Sequence, residues 1–213
     1  MILEHRGKCP RIHESVYVAP NATLSGDVSI GENSCVLFGA VISAEGSPIS
    51  IGSHCIIMEN VVIRASPRHP TTIHNNILVG PRAYLTGCTI EDNAFLATGS
   101  TIFNGARIGA RAEVRVNGVV HLRTVLFPDA VVPIGWIAVG DPAEILPPDA
   151  HEIIWTIQKE LNFPKEVFGM ERPLEGKTIM PQLMKRYTRA LLKHNEDTAI
   201  ECGVAMRHDG NQN

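Results

Sequence analysis

Aliphatic residues recur at every sixth position over most of the first 140 residues of this 213-residue chain. A period of six matches neither the 3.6-residue repeat of an α-helix nor the two-residue alternation of an amphipathic strand. It therefore indicates an internal repeat, and a repeat constrains the fold more than local propensities do. The longest unbroken run consists of Ile90, Leu96, Ile102, Ile108, Val114, Val120, Leu126 and Val132.

A small side chain usually stands two positions before each aliphatic residue, so each hexapeptide predicts a short strand and a tight turn. Three hexapeptides, about 18 residues, close one triangular coil, and coils stack at the strand spacing of about 4.8 Å. An ordinary β-sandwich would instead show a period of two with irregular turns. We therefore predict an all-β solenoid, a parallel β-helix of about seven coils. The small corner residues include Ala22, Ser34, Ala40, Cys55, Ala83, Ala94, Ser100, Ala106, Ala112, Gly118, Thr124 and Ala130.

The repeat is interrupted at three places. An extra triplet surrounds Ala44-Glu45-Gly46, four extra residues lie within the segment 66–72, and the step from Leu85 to Ile90 is one residue short. Insertions in a solenoid become loops on its outside, and such loops often form the functional face.

The hexapeptide pattern ends at Pro147-Pro148, which divides the chain into a β-helix over residues 10–146 and a helical extension over 147–213. Asp149 is a plausible N-cap for a helix to about Leu161, and a second helix is predicted from about Pro181 to His194. The segment between them is predicted to be a link. We interpret the basic row on the second helix as a solvated face and expect the tail from residue 196 onward to be frayed. That row consists of Lys185, Arg186, Arg189 and Lys193.

Composition gives little reason to expect nucleic-acid or membrane partners, because the net charge is only −3. The first residues do not resemble a signal peptide, and no apolar run is long enough to span a bilayer. The five cysteines are dispersed without metal-binding spacing, so we expect reduced thiols in the cytoplasm. Outward apolar residues such as Phe103 and Phe127 predict an oligomer.

The repeat, the closing segment Val139–Ile145 and the helix after it resemble the hexapeptide-repeat, left-handed β-helix superfamily. Within it, residues 12–160 resemble the γ-class carbonic anhydrase-like branch, on the opening segment 26–31, the loop after Ile42 and the segment 51–64. This resemblance implies a left-handed coil and a homotrimer with active sites between protomers.

The enzymes of that branch hold zinc with three histidines, two from one protomer and one from the next. The resemblance puts these positions on Arg64, Pro81 and Thr86, and none of them replaces a neutral imidazole at tetrahedral zinc. Of the supporting polar residues only two carboxylates survive, as Glu45 and Glu59. Activation of a zinc-bound water needs the metal. We therefore predict a degenerate zinc site with no metal or other cofactor, and no CO₂ hydration.

Every third aliphatic residue should return to the same face of the coil, and the residue after it should point outward. The spacing thus predicts an outer ladder on the face where two of the family's ligands would lie. In that ladder His121 should be about 10 Å from Thr86, two coil spacings away. The ladder consists of Ser43, Arg64, Thr86, Phe103 and His121.

We predict a pocket at the protomer interface that combines this ladder with the neighbour's Arg82. Two interpretations stay open: an ion-pair network that fixes trimer register, or a pocket for a small anion or carboxylate with Arg64 and Arg82 as donors. The predicted pocket residues are Glu45, Glu59, Arg64, Arg82 and Thr86.

Three functions follow from these patterns. The first is a non-catalytic scaffold or anion-binding protein, for which the pointed-end subunits of dynactin, similar to the same branch, offer a precedent. The second is a coenzyme A-dependent acyltransferase with His121 or His69 as general base, although no long acceptor-binding loop is visible. The third is a hydratase or lyase whose metal site is rebuilt from His69, His74 or His121 with Glu59.

Overall fold

The structure is a computed structural model in which residues 1–200 are described. It contains 24 short strands in that range. They are Ile2–Glu4 (β1), Arg11–Ile12 (β2), Tyr17–Val18 (β3), Thr23–Ser25 (β4), Val28–Ile30 (β5), Cys35–Val36 (β6), Val41–Ala44 (β7), Ile49–Ile51 (β8), Ile56–Ile57 (β9), Val62–Ala65 (β10), Thr71–Ile73 (β11), Leu78–Val79 (β12), Tyr84–Thr86 (β13), Thr89–Ile90 (β14), Phe95–Leu96 (β15), Thr101–Ile102 (β16), Arg107–Ile108 (β17), Glu113–Val114 (β18), Val119–Val120 (β19), Val125–Leu126 (β20), Val131–Val132 (β21), Ile137–Val139 (β22), Glu144–Leu146 (β23) and Thr198–Ala199 (β24).

The strands form three sheets, because each strand pairs in parallel with the third strand after it. The first sheet has the order β23-β22-β19-β16-β13-β10-β7-β4-β1-β24, with antiparallel pairs only at its two ends. The second runs from β2 to β20 and the third from β21 to β3. Three parallel faces wound in this way confirm the predicted left-handed β-helix.

The first sheet contains eight parallel strands, one more than the predicted count of about seven coils. The additional strand is β1, in which Ile2 pairs with Leu24. The aliphatic period does not reveal it, because the segment from Arg6 to Lys8 forms a turn that is closed by a bridge between His5 and Lys8. The coil therefore begins before residue 10.

The interior of the coil is the stack of aliphatic residues that the six-residue period predicts. Ile42, Ile63 and Leu85 are fully buried and occupy matching positions on β7, β10 and β13. The small corner residues, such as Ala22 and Ala83, are buried as well. Because each coil buries its aliphatic residues against the next, stacking supplies the hydrophobic stabilisation of the fold.

Turns at the corners depend on residues that accept left-handed backbone conformations. Asn33, Asn60 and Asn93 have φ between 55° and 62°, a region that asparagine tolerates better than most residues. Gly109 has a different role, since a Cβ there would lie 2.5 Å from the backbone nitrogen of Pro128 in the next coil.

Three α-helices follow the coil: His151–Glu160 (α1), Phe163–Phe168 (α2) and Met180–Leu191 (α3). Helix α1 confirms the first predicted helix, although Ala150 rather than Asp149 is its N-cap residue. Helix α2 lies in the segment predicted as a link; it is short, starts at a proline-containing turn and ends at Gly169 with φ 65°. No helix within the described residues is long and apolar enough to cross a bilayer.

The residues after α3 are ordered along the coil. A 3₁₀ helix spans Leu192–Glu196, and β24 pairs antiparallel with β1. The expectation of a frayed tail from residue 196 is therefore wrong for residues 196–200, because β1 offers a free strand edge with which the chain can pair. Residues 201–213, the rest of the expected tail, lie outside the described residues.

Candidate functional site

Helices α2 and α3 pack over the first sheet and form with it a partly open cavity of about 520 Å³. The cavity lies on the predicted outer ladder, where Arg64 pairs in register with Ser43 on one side and Thr86 on the other. The apolar part of its wall comes from both layers and consists of Phe103, Phe163, Val167, Phe168, Leu183 and Leu191.

Arg64 connects the two layers that form the cavity. Its Nη2 atom lies 3.4 Å from Glu45 Oε1 and 3.4 Å from the Tyr187 hydroxyl on α3. Partial burial works to lower the pKa of Arg64, but Tyr187 and Glu45 outweigh it and hold that pKa above its usual value. The guanidinium is therefore a permanent positive charge in the wall.

Three further arginines line the cavity: Arg6, Arg68 and Arg186. Arg68 Nη2 donates to the carbonyls of Lys165 and Glu166, at 2.9 Å and 2.8 Å, and so holds the C-terminal turn of α2. Within residues 1–200, neither Arg6 nor Arg186 makes an ion pair. Arg186 belongs to the row expected to be a solvated face; it is exposed, as expected, and it also borders the cavity because α3 lies across the ladder.

The predicted pocket residues fall into two groups. Glu45, Arg64 and Thr86 lie together at the cavity. Glu59 and Arg82 are joined only through the backbone, where Arg82 N donates to Glu59 O at 3.0 Å, and neither lines the cavity. Arg82 is exposed on a turn with φ 58°. Its meeting with Arg64 across a protomer interface stays a prediction.

Comparison with known proteins agrees with the β-helix and with the resemblance of the sequence to hexapeptide-repeat proteins. The family model described as "Bacterial transferase hexapeptide (six repeats)" matches residues 9–44. The chain is 31% identical to γ carbonic anhydrase 2, mitochondrial, of Arabidopsis thaliana over 163 residues, which is 73% of this chain and 56% of that protein. The chain is therefore similar to hexapeptide-repeat β-helix proteins, and its relatives include γ carbonic anhydrases.

Other relatives show similarity to the same two groups of proteins. A carbonic anhydrase of Geobacillus kaustophilus is 35% identical over 109 residues, 51% of this chain and 60% of that protein. A solved structure of a hexapeptide transferase family protein from Anaplasma phagocytophilum is 26% identical, with a TM-score of 0.50 and coverage of 75% of this chain and 91% of that one. The chain thus spans little more than half the length of the two carbonic anhydrases it matches.

The zinc site of γ-class enzymes does not fit the residues of this hexapeptide-repeat chain. Arg64 and Thr86 lie in register on neighbouring strands, while Pro81 lies in the turn before β13. A guanidinium, a pyrrolidine ring and a hydroxyl provide no neutral imidazole for tetrahedral zinc.

His121, the predicted general base, lies beside the cavity and not in its wall. Its ring packs 5.6 Å from that of Phe103, which in turn contacts Phe163 of α2. Burial lowers the pKa of His121 to about 4, and its buried Nδ1 has no hydrogen-bond partner in the described part of the chain. It is thus a weak base without an orienting carboxylate. Phe103, expected to need a partner protomer, is covered by the chain's own helix.

The histidines considered for a rebuilt metal site do not converge in one chain. His69 Nε2 pairs with Glu166 at 3.2 Å, beneath α2. His74 is exposed at the end of β11 on the second sheet. His121 packs on Phe103, and Glu59 is on a turn after β9. Within the described residues these side chains form no group of three possible metal ligands.

The structure assembles a different cluster, which the sequence patterns missed. Asp197 lies 2.6 Å from His5 Nδ1 and 2.7 Å from His194 Nδ1. His194 Nε2 lies 3.2 Å from both oxygens of Glu45. Burial works to raise the pKa of Asp197, but the contacts with His194 and His5 outweigh it and keep that pKa below its usual value. No spacing signal could have found this cluster, since His5 and Asp197 are separated by 192 positions.

Proposed function

We propose that this γ-carbonic anhydrase-like chain is a homotrimer that lacks CO₂ hydratase activity and binds a small organic anion in the cavity under α3. The single observation that carries the proposal is the position of Arg64. By the resemblance it stands at a zinc-ligand position of the family; in the structure it is in register with Thr86 and lines the cavity. A fixed cation has taken the place of the metal ligand, so the site favours an anion.

The composition of the wall suggests which anions fit. Arg6, Arg64 and Arg186 supply positive charge against the single carboxylate of Glu45. A guanidinium donates two parallel hydrogen bonds to a carboxylate or phosphate. The aromatic and aliphatic wall formed by Phe103, Phe168 and the residues around them can bury an apolar body. A carboxylate on an aromatic or aliphatic group therefore matches the cavity better than an inorganic ion does.

Loss of hydratase activity follows from the same substitution. The relatives are named carbonic anhydrases, and zinc catalysis depends on a metal-bound water with a lowered pKa. No arrangement of Arg64, Pro81 and Thr86 holds that metal. We expect the zinc-supplemented protein to hydrate CO₂ at the background rate. Hydration clearly above background, with zinc bound, would refute this part of the proposal.

Binding is best tested by calorimetry of the full chain with three probes: acetate, benzoate and inorganic phosphate. Benzoate should bind more tightly than acetate, because the apolar wall buries its ring. Arg64→Gln should weaken benzoate binding by about tenfold or more, as expected for loss of a charged hydrogen bond. Arg107→Gln, which removes an exposed ion pair with Glu91, is the matched control. Absence of binding of all three probes at millimolar concentration would reject the anion site.

The alternative within this proposal is a scaffold role, in which Arg64 and Glu45 fix the assembly without a ligand. The trimer itself is expected to work in the cytoplasm, with free thiols such as the buried Cys55 and Cys88. Calorimetry separates the two roles: a pure scaffold shows no probe binding, and Arg64→Gln then changes trimer stability alone. The neighbour's Arg82 would add a donor to the pocket only in the trimer.

Acyl transfer from coenzyme A is the second candidate, because of the similarity to the hexapeptide transferase family protein of Anaplasma phagocytophilum. It requires a general base, and His121 is poorly suited to that role, since its pKa is about 4. Calorimetry with coenzyme A tests this function. The transferase would be favoured by two results together. Coenzyme A should bind in the micromolar range to both the wild type and His121→Phe, and this variant should lose acetyl transfer.

A further inference from the structure

We propose that His5, Glu45 and His194 form a binding site for one divalent transition-metal ion, with Zn²⁺ the best match to their donor atoms. The site is separate from the family's zinc positions at Arg64, Pro81 and Thr86. It lies where the segment after α3 returns to the first coil. Two imidazoles and one carboxylate are a donor set that zinc accepts, with one position left for water or another ligand.

The geometry brings the three donors close together. One ligand atom of each of the three residues lies within 4.8 Å of a ligand atom of the other two. In a tetrahedral zinc site the donors are about 3.4 Å apart, given metal–donor distances of about 2.0–2.1 Å. His194 and Glu45 already approach to 3.2 Å. Binding therefore needs a local contraction of about 1 Å by side chains, without rearrangement of the coil.

Asp197 orients both imidazoles from behind. Its two oxygens contact the Nδ1 atoms of His5 and His194, and the two rings stack with centroids 4.3 Å apart. A carboxylate that accepts the Nδ1 hydrogen leaves the Nε2 lone pair available, which is the usual arrangement behind a metal-bound histidine. Here one carboxylate serves two histidines and leaves the Nε2 atom of each free to bind a metal.

A buried ring nitrogen without a hydrogen-bond partner points to a ligand at this position. His5 is only 2% exposed, yet its Nε2 atom has no hydrogen-bond partner among residues 1–200. Buried polar atoms nearly always have a hydrogen-bond partner, because leaving one without a partner costs stability. A network in which a protonated His194 merely bridges Glu45 and Asp197 leaves this cost in place. A metal ion coordinated by His5 Nε2 removes it.

Glu45 has the capacity to serve this ion and the cavity together. Its Oε1 atom accepts from Ser43 Oγ at 3.0 Å and lies 3.4 Å from Arg64. The other carboxylate oxygen has only His194 as a neighbour among the hydrogen bonds of the described chain. The metal would therefore join Glu45 of the insertion loop to the segment that carries β24, and so fix the C-terminal segment against β1.

The test uses the full chain without an affinity tag, stripped with a chelator and titrated with Zn²⁺ and with Co²⁺. We expect about one equivalent per protomer, and Co²⁺ should produce the visible absorption bands of a four-coordinate site. His194→Gln should weaken binding by about 100-fold or more, and Asp197→Asn by about 10–100-fold. His74→Gln, at an exposed histidine on the second sheet, should bind as the wild type does.

The principal variant is at His194 because this residue lies on the exposed 3₁₀ helix. A change at the buried His5 could disturb folding. Far-ultraviolet circular dichroism should show the same β-helix in wild type and variant. Less than a tenth of an equivalent in the wild type would overturn the proposal. Stoichiometric metal that His194→Gln retains would overturn it as well, because the ion would then lie elsewhere. Neither result depends on anion binding, which is measured separately with benzoate.

Discussion

The Arg64 guanidinium and the Tyr187 hydroxyl, 123 positions apart in the chain, lie 3.4 Å from each other. This contact joins the outer ladder of the coil to helix α3, which lies across the cavity. In consequence the C-terminal helices belong to the site, and they are more than an appendage of the β-helix. Their attachment rests on few buried residues, which makes it open to measurement.

Leu183 is the one residue of α3 that is buried. Leu183→Ala removes packing worth about 2 kcal/mol or more, so α3 should detach from the coil more often. We expect amide hydrogen exchange across α3 to accelerate by about 30-fold, with exchange in the coil unchanged. Met184→Ala, at the exposed neighbouring position, is the control and should change exchange by less than about twofold. Equal effects of the two variants would contradict the packing.

The coil could be predicted from sequence because each hexapeptide repeats the same local rule. Inward aliphatic residues such as Ile63 and Leu85, and small corner residues such as Ala83, report their own burial, and stacking needs no distant information. The strand β1 escaped because its coil is interrupted by the turn at Arg6 to Lys8. Repetition makes the prediction reliable, and a single coil that departs from the period is invisible to it.

The site could be predicted only in part, for a related reason. The ladder position of Arg64 and Thr86 follows from the period, and the structure brings Glu45 to Arg64 as expected. The packing of Tyr187 and Leu183 over the cavity does not follow from the period, because an amphipathic pattern does not identify the surface on which a helix packs. The contact of His5 with Asp197 depends on the chain's return over its full length, and local patterns contain no such information.

His121 should make the protein less stable in mild acid. Burial lowers its pKa to about 4 from the ordinary 6.5, so the unfolded chain takes up the proton first as the pH falls. The contribution of His121 to the free energy of unfolding is constant above about pH 6.5. It falls by roughly 2–3 kcal/mol between about pH 6.5 and pH 4. Urea unfolding of wild type and His121→Phe at about pH 7.5 and about pH 4.5 measures this loss. Parallel pH dependences in the two proteins would show that the imidazole is not buried.

Gly109 sets the distance between two coils. A Cβ at this position would lie 2.5 Å from Pro128 N and 2.6 Å from the Phe127 carbonyl carbon, and neither backbone atom can move aside alone. We expect Gly109→Ala to reduce the free energy of unfolding by about 3 kcal/mol. Gly135→Ala is the control: φ there is 69° with nothing within 4 Å, so only backbone strain of about 1 kcal/mol is expected. Similar losses in the two variants would contradict the close approach.

Assembly should depend on the third sheet, whose outward face carries a stripe of exposed apolar residues. Tyr17, Ile56, Phe95 and Val131 are each between 37% and 46% exposed and lie on alternate coils, on β3, β9, β15 and β21. A stripe of this kind is typical of an interface between chains, and the trimer proposed here would bury it.

Phe95→Glu places a charge at the centre of this stripe, where burial without a partner is costly. Light scattering after gel filtration should therefore find a trimer in the wild type and a monomer in Phe95→Glu. Ser50→Glu, at an exposed position of the second sheet, should remain trimeric. A Phe95→Glu protein that stays trimeric would place the interface on another face, and a monomeric wild type would exclude the shared pocket between Arg64 and the neighbour's Arg82.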